Sequence, residues 1–320
     1  MVLLALMLVA GAGIFYTQFS GPGGPKEPER FIVRLEEDQP AIIADLADKK
    51  FFRNQEIFIW LLSRQHREIA PGAYLISKNM NVYQLAQVLT TEPYQKWVVI
   101  PAGKRKEQVA VILKRALDWP EKTMINFINL AKEGWLFGDT YLINSDADAQ
   151  QAFEKLFATF NEKLDADLQK TLLAQNIRLD TAVRFASLIE REAGGEADKA
   201  IIAGIIWNRL DKGMRLEIDA TVQYALTSQA LAAVNFQIPD DFNFWEQLSG
   251  ANIRANDSPF NTYQNKGLPP GPICSPSISS IWAVAQPAET DAFYYLHSAD
   301  KQIHTAVTYK EHLKNIQKYL

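Results

Sequence analysis

The chain has 320 residues, 48% of them hydrophobic, with 33 lysines and arginines against 37 aspartates and glutamates for a net charge of −4. That length and apolar content suffice for a substantial core in two or three domains, and the acidic balance excludes the broadly basic surface of a duplex nucleic-acid binder. The lone Cys274 excludes an intrachain disulfide and fits a protein that works outside the cytoplasm and avoids mispairing.

From Met1 to Tyr16 every residue is apolar, aromatic or glycine; Phe19 extends the run and Ser20-Gly21-Pro22-Gly23-Gly24-Pro25 breaks it. A helix there covers roughly 24 to 28 Å, slightly less than a hydrocarbon core of about 30 Å. Nothing polar gives the run a second face, so residues 1–19 are expected to form a membrane anchor, with a cleaved signal peptide as the alternative. No basic residue precedes the run, an unusual beginning for either. Residues 20–30, rich in glycine, proline and charge, read as a linker.

Strand-like Phe31-Ile32-Val33, helices over 40–47 and 56–65, extended Pro71-Gly72-Ala73-Tyr74-Leu75-Ile76 and a helix over 82–90 predict a small mixed α/β module in residues 31–95. His66 lies in a charged stretch between Arg64 and Arg67 and reads as a surface residue. A second module, residues 96–175, opens with the strand Trp97-Val98-Val99-Ile100, turns at Pro101-Ala102-Gly103 and enters a helix over 107–117. Glu133-Gly134-Trp135-Leu136-Phe137-Gly138-Asp139-Thr140-Tyr141 reads as an aromatic turn packed under the next domain, with direct substrate contact as the alternative. Residues 147–175 alternate charged and apolar residues at helical spacing.

The most informative stretch runs from Asp180 to Asp219. Ala182, Phe185, Leu188 and Ile189 recur at helical spacing, and Gly194-Gly195 stop the helix. At about 100° per residue Glu192 projects close to the direction of Phe185 and Ile189, and Glu190 to the opposite side. Glu190 is therefore expected to be an ordinary solvated or intrahelical carboxylate. Glu192 continues the apolar stripe; if that stripe faces the core, desolvation raises its pKa and lets it hold a proton near neutral pH, as a general acid must. The alternative is a helix-end glutamate that reaches water or pairs with Arg191 or Lys199. A second helix, over 198–211, follows with Ile201, Ile202, Ile205, Ile206 and Leu210 on its apolar side.

Beyond it, residues 228–250, with Trp245 and several acidic residues, suggest a lid or cleft wall. Ser258-Pro259-Phe260-Asn261-Thr262-Tyr263 and Gly267-Leu268-Pro269-Pro270-Gly271-Pro272-Ile273 are dense enough in proline and glycine to fix an irregular loop, whose Asn, Thr and Tyr side chains offer the donors and aromatic surface that sugars use. Tyr294-Tyr295-Leu296 reads as a strand and residues 311–320 as a last helix. Four histidines without an HExxH pattern, and no cysteine cluster, leave no metal site; no cofactor is expected.

Glu190-Arg191-Glu192, Asn208-Arg209-Leu210, Gly213-Met214-Arg215-Leu216 and Asp219-Ala220-Thr221-Val222 together closely resemble the catalytic signature of the membrane-bound endolytic murein transglycosylases, the YceG-like family. The resemblance extends over about residues 30 to 320. It implies an α+β chain: an N-terminal transmembrane helix (1–19), a linker (20–30), a small LysM-like α/β module (31–95), a middle module (96–175) and a mixed α+β catalytic domain (176–320). It places the family's catalytic glutamate, the second of its pair, on Glu192. The Asn-Thr-Tyr and Gly-Leu-Pro-Pro-Gly segments border the glycan cleft in that family. That implies Asp219, Thr221, Asn261, Thr262, Tyr263, Leu268 and Pro269 as residues that bind substrate or orient Glu192; Asp219 alternatively caps the turn before Thr221. Gly138, Ala220, Phe260 and Leu313 depart from the family's pattern and leave Glu192 untouched.

The reaction this resemblance implies needs one carboxyl group where most glycosidases use two. A lytic transglycosylase protonates the glycosidic oxygen between N-acetylmuramic acid and N-acetylglucosamine. The same group, now a carboxylate, takes the proton of the C6 hydroxyl of that muramic acid, which attacks C1 and leaves a 1,6-anhydro end. The nucleophile is already in place, so no activated water is required. The expected partners are nascent peptidoglycan strands, the lipid bilayer of the inner membrane and peptidoglycan synthases, with no nucleic acid, and the catalytic domain on the extracytoplasmic side. Two other readings stay open: a muramidase-type hydrolase using water, and a non-catalytic peptidoglycan-binding scaffold.

Overall fold

The computed structural model describes residues 13, 16–65, 67–239 and 241–320. Most of the expected membrane anchor, residues 1–12 and 14–15, and the expected surface residue His66 lie outside the described residues. Among the described residues no helix is long and apolar enough to cross a membrane. The fold is α+β and divides into two compact units, Met1–Val98 with Tyr141–Ala147, and Val99–Thr140 with Asp148–Leu320.

In the first unit the strands β1 (Glu29–Val33), β2 (Gly72–Ile76), β3 (Gln95–Val99) and β4 (Thr140–Asn144) form a sheet in that order. β1 and β2 run antiparallel, with Phe31 opposite Tyr74 and Val33 opposite Gly72. Between them the chain forms α1 (Gln39–Asp48) and α2 (Gln55–Gln65), and after β2 comes α3 (Val82–Leu89). The α1 start is set by Asp38, whose carboxylate accepts the Ala41 N–H at 2.8 Å, and that of α3 by a reciprocal Asn81–Gln84 capping box. Such caps contribute about 1 kcal/mol each. Alternate strand residues Phe31, Val33, Tyr74 and Ile76 then meet Ile42, Leu46, Phe58, Leu85 and Leu89 in one buried cluster.

The second unit is mostly helical: α4 (Lys106–Leu117), α5 (Glu121–Leu130), α6 (Ala149–Lys163), α7 (Ala166–Ala174), α8 (Leu179–Glu192), α9 (Lys199–Asp211), α10 (Asp219–Ala233), α11 (Gly250–Ala255), α12 (Ile278–Ala285) and α13 (Tyr309–Tyr319). An antiparallel hairpin, β5 (Tyr294–His297) and β6 (Ile303–Ala306), precedes α13. The helices α5, α10, α11 and α12 and the strands β4 and β6 are absent from the sequence expectations, and α10 runs through Ala233 into the stretch expected to begin an insert at Ser228. Short runs such as Ile278–Ala285, apolar almost all round, carry no periodic signal that separates helix from loop.

Helix α8 is the centre of this unit. Ala182, Val183, Phe185, Ala186, Leu188 and Ile189 are all fully buried, and α7, α9, α10 and α12 pack around them. Each large apolar side chain buried this way contributes about 1.5–3 kcal/mol. Ser187 is also fully buried; its hydroxyl donates to the Arg184 carbonyl at 2.7 Å and accepts the Ile273 N–H at 3.1 Å, which ties the proline-rich loop to the helix. A second anchor is ionic. The fully buried Arg105 binds Glu107 at 3.1 Å and Ser228 Oγ at 2.8 Å and lies over the Tyr224 ring at 4.3 Å, joining α4 to α10.

Helix α9 passes close to the chain around residue 288, and Gly204 makes that approach possible: a Cβ there would collide with the Ala288 carbonyl oxygen and lie 3.0 Å from Thr290 Cγ2. Two effects oppose each other in Gly204→Ala. Helix propensity favours alanine by about 1 kcal/mol, but overpacking against a backbone carbonyl costs about 1–3 kcal/mol. The expected outcome is a lower thermal midpoint, measured by calorimetry, rather than the gain that an exposed helical glycine would give.

Candidate active site

The last turn of α8 presents Glu190, Arg191 and Glu192 in three directions. The helix stops because Ala193 turns to extended backbone (φ −70°, ψ 130°), with Gly195 also extended, so neither glycine serves as a left-handed cap. Gly194 meets a different demand: a Cβ would come within 3.1 Å of both Asp198 Oδ2 and His297 Cδ2. The chain can therefore fold back tightly over the helix end.

Glu192 is half-buried and faces the hairpin. The Tyr295 hydroxyl of β5 donates to Glu192 Oε2 at 2.5 Å. Burial pushes the Glu192 pKa up; the Tyr295 hydrogen bond opposes that rise, the Asp219 carboxylate adds to it, and His297 and Arg191 oppose it, leaving the group raised above the ordinary glutamate value. Burial, and then the Glu192 charge, likewise hold the Tyr295 phenol well above its usual value. His297 stands two residues along β5, on the same face as Tyr295, with Nε2 3.1 Å from Asp198 Oδ2, which also accepts the Gly194 N–H at 3.1 Å. Asp198, Tyr295 and His297 were missed in the sequence; the alternation of Tyr295 and His297 along a strand was the available signal.

Asp219 is the first residue of α10 and is exposed; its Oδ1 accepts the Tyr263 hydroxyl at 2.6 Å. Behind this pair lies a buried lattice. Thr262 Oγ1 accepts the Ile218 N–H at 2.9 Å and lies 3.0 Å from Thr221 Oγ1, which donates to the Ile218 carbonyl. Asn261 Nδ2 donates to the Ile253 and Asn256 carbonyls, and its Oδ1 accepts the Tyr263 N–H at 3.0 Å. Thr221, Asn261 and Thr262 are at most 1% exposed, and their hydrogen bonds are made within the protein. Leu268 packs against the hydrophobic core, and the Pro269 carbonyl accepts Arg184 Nη1 at 3.4 Å. Of the seven residues named beside Glu192, Asp219 and Tyr263 are the ones whose side chains bond each other within electrostatic reach of the acid.

Glu190 corrects the expectation of a solvated carboxylate. Its side chain is only 12% exposed, and Oε2 accepts the Ser277 N–H (3.1 Å), Ser277 Oγ (2.6 Å) and Ser280 Oγ (2.5 Å), with Lys199 Nζ 3.5 Å away. It lies at the N-terminus of α12, where the helix dipole favours an anion. Helical phase separated the two glutamates, but the direction opposite the core stripe is covered by a neighbouring helix. Arg191 extends toward residue 245, its guanidinium 4.0 Å over the Trp245 ring. Cys274 is buried with its thiol pKa raised. Among the described residues no group of three or more His, Cys, Asp or Glu side chains could hold a metal.

The YceG-like family matches residues 31–318. The endolytic murein transglycosylase of Bacillus subtilis is 29% identical over 281 residues, covering 78% of this chain and 72% of that protein. The protein of the same name from Streptococcus pneumoniae is 28% identical over 189 residues, covering 59% of this chain and 32% of that protein. A crystal structure of a yceG-like protein from Listeria monocytogenes superposes with a TM-score of 0.60 at 26% identity, covering 91% of this chain and 99% of that one. The chain belongs to the YceG-like family.

The surroundings of Glu192 make opposite predictions for two neighbours. Tyr295→Phe removes a donor that favours the carboxylate, so the pH at which Glu192 ionises rises; Asp219→Asn removes a repelling charge, so it falls. Carboxyl-carbon NMR of labelled glutamate reads both shifts. Stability gives a third outcome. Folded Glu192 holds its proton above the unfolded pKa, so stability declines as pH rises through that gap. Glu192→Gln cannot ionise, and its thermal midpoint exceeds that of the wild type near pH 8, while the excess vanishes near pH 4.

Proposed function

We propose that this chain is a lytic transglycosylase acting endolytically on peptidoglycan, with Glu192 as the acid and then the base. The observation that carries the reading is the Glu192 carboxyl, half-buried, raised in pKa and held by Tyr295 at 2.5 Å. The names of the Bacillus and Streptococcus relatives support the reaction class. Protonated Glu192 gives its proton to the glycosidic oxygen as the C1–O bond to the leaving N-acetylglucosamine breaks. The resulting carboxylate takes the proton of the C6 hydroxyl of the same N-acetylmuramic acid, and the new C6–O–C1 bond closes a 1,6-anhydro ring. The carboxyl is protonated again at the end, so one group completes the cycle.

In this reading Tyr295 fixes the Glu192 rotamer, and Asp219 and Tyr263 form the wall against which the sugar is placed. Thr221, Asn261 and Thr262 hold that wall rigid from behind, and Leu268 and Pro269 seat the loop on α8. Residues 1–19 are assigned as a single-pass membrane anchor, 31–95 as a LysM-like module, 96–175 as a middle module and 176–320 as the catalytic domain. The chain would act on nascent strands at the extracytoplasmic face of the inner membrane, beside peptidoglycan synthases.

A hydrolase reading has one observation in its favour: Asp219 is a second carboxylate close enough to raise the Glu192 pKa. Muropeptide mass spectrometry of strands digested by the purified protein decides between the two. Anhydro ends are expected, and Glu192→Gln lowers their release by about 10²- to 10⁴-fold, the range for loss of a general acid–base group. Reducing ends instead would select the hydrolase, and unchanged release by Glu192→Gln would sink both.

A further inference from the structure

On the Asp219 side of the site lies a concave pocket of about 590 Å³ lined by Arg215, Glu217, Tyr263, Lys266, Tyr294 and Tyr309, with Gly213 and Met214. It is open to solvent along its length, a groove rather than an enclosed cavity. Tyr263 belongs both to this pocket and to the Asp219 hydrogen bond, so an occupant would border the sugar held at Glu192. The charges are unequal. Glu217 is answered by Arg209 Nη1 at 3.6 Å, whereas Arg215 and Lys266 are exposed and, among the described residues, have neither an ion pair nor a side-chain hydrogen bond. Two free cations thus stand beside three tyrosine rings in a chain whose net charge is negative.

The backbone here is also held in a costly shape. Glu217 adopts a left-handed conformation (φ 55°), fixed by its N–H donating to the Thr262 carbonyl at 3.2 Å. Such strain persists where surrounding structure over-determines it and clusters at ligand-binding segments. Here it aims the Arg215–Glu217 segment along the pocket, between the end of α9 and the start of α10. Tyrosine faces suit the apolar side of a sugar or an aliphatic chain, and paired cations suit carboxylates.

We propose that this pocket binds the acid-bearing peptide carried by the muramic acid beside the scissile bond, with Arg215 and Lys266 pairing its carboxylates and Tyr263, Tyr294 and Tyr309 packing its neutral faces. The assignment rests on the peptidoglycan reading of Glu192 and sharpens it by naming the surface that reads the peptide.

Calorimetric titration of the full chain tests it, using a muramyl tripeptide with free carboxylates, the same compound with its carboxylates amidated, and a simple sugar phosphate. The free acid is expected to bind about tenfold or more tightly than the amide, with an advantage that shrinks as salt screens it. In the double variant Arg215→Gln/Lys266→Gln that advantage disappears, while an unchanged thermal midpoint reports an intact fold. Equal binding of acid and amide, an advantage that survives in the double variant, or a sugar phosphate binding as tightly as the acid peptide would each overturn the proposal. Mass spectrometry of cleaved strands keeps the two readings apart: peptide discrimination without anhydro ends sinks the reaction and supports the pocket, and anhydro ends without discrimination sink the pocket alone.

Discussion

A single carboxyl group kept partly out of water, with one phenol hydroxyl on it, is the constraint around which the second unit is built. Water would stabilise the charged form of Glu192 and return it to the pKa of any surface glutamate. Helix α8 prevents this by being buried along nearly its whole length, so that its last turn emerges between neighbouring elements. The hairpin supplies Tyr295, and the start of α10 supplies a second carboxylate whose charge further resists ionisation.

The two glutamates of that turn show how environment, not residue type, decides chemistry. Glu190 accepts three hydrogen bonds at a helix N-terminus and has Lys199 nearby. It joins α8, α9 and α12. Glu192 has one donor, from a phenol, and a like charge nearby. The first is a structural strut and the second a proton holder, two residues apart on one helix.

The loop carrying Asn261 to Tyr263 is irregular in backbone yet rigid, because its polar side chains do the work that a ladder of strands does elsewhere. Thr221 and Thr262 bridge α10 to the loop, Asn261 closes it on residues 253–256, and Ser187 ties Ile273 to α8. A buried polar group left without partners costs more than a bonded one contributes, so such a lattice holds as a unit. Arg105 does the same for the other side of α10, answering Glu107 and reaching Tyr224 and Ser228 from full burial. The exposed Tyr263–Asp219 pair is thereby held against elements fixed on both flanks.

By itself the sequence determined many of the helices and strands to within a residue or two, and its motifs carried the resemblance to the YceG-like family that implied the α+β class. The elements follow from local rules: apolar spacing in Ala182, Phe185, Leu188 and Ile189, and runs of proline and glycine. It also separated Glu192 from Glu190, since helical phase is fixed by position in the chain. Only tertiary structure decided what each direction faces. Phase could not reveal that α12 covers Glu190, that Tyr295 and His297 arrive from 100 residues downstream, or that Thr221, Asn261 and Thr262 are turned into the fold. Those contacts join residues far apart in sequence, and no period in the chain encodes which distant surface will close over a given side chain.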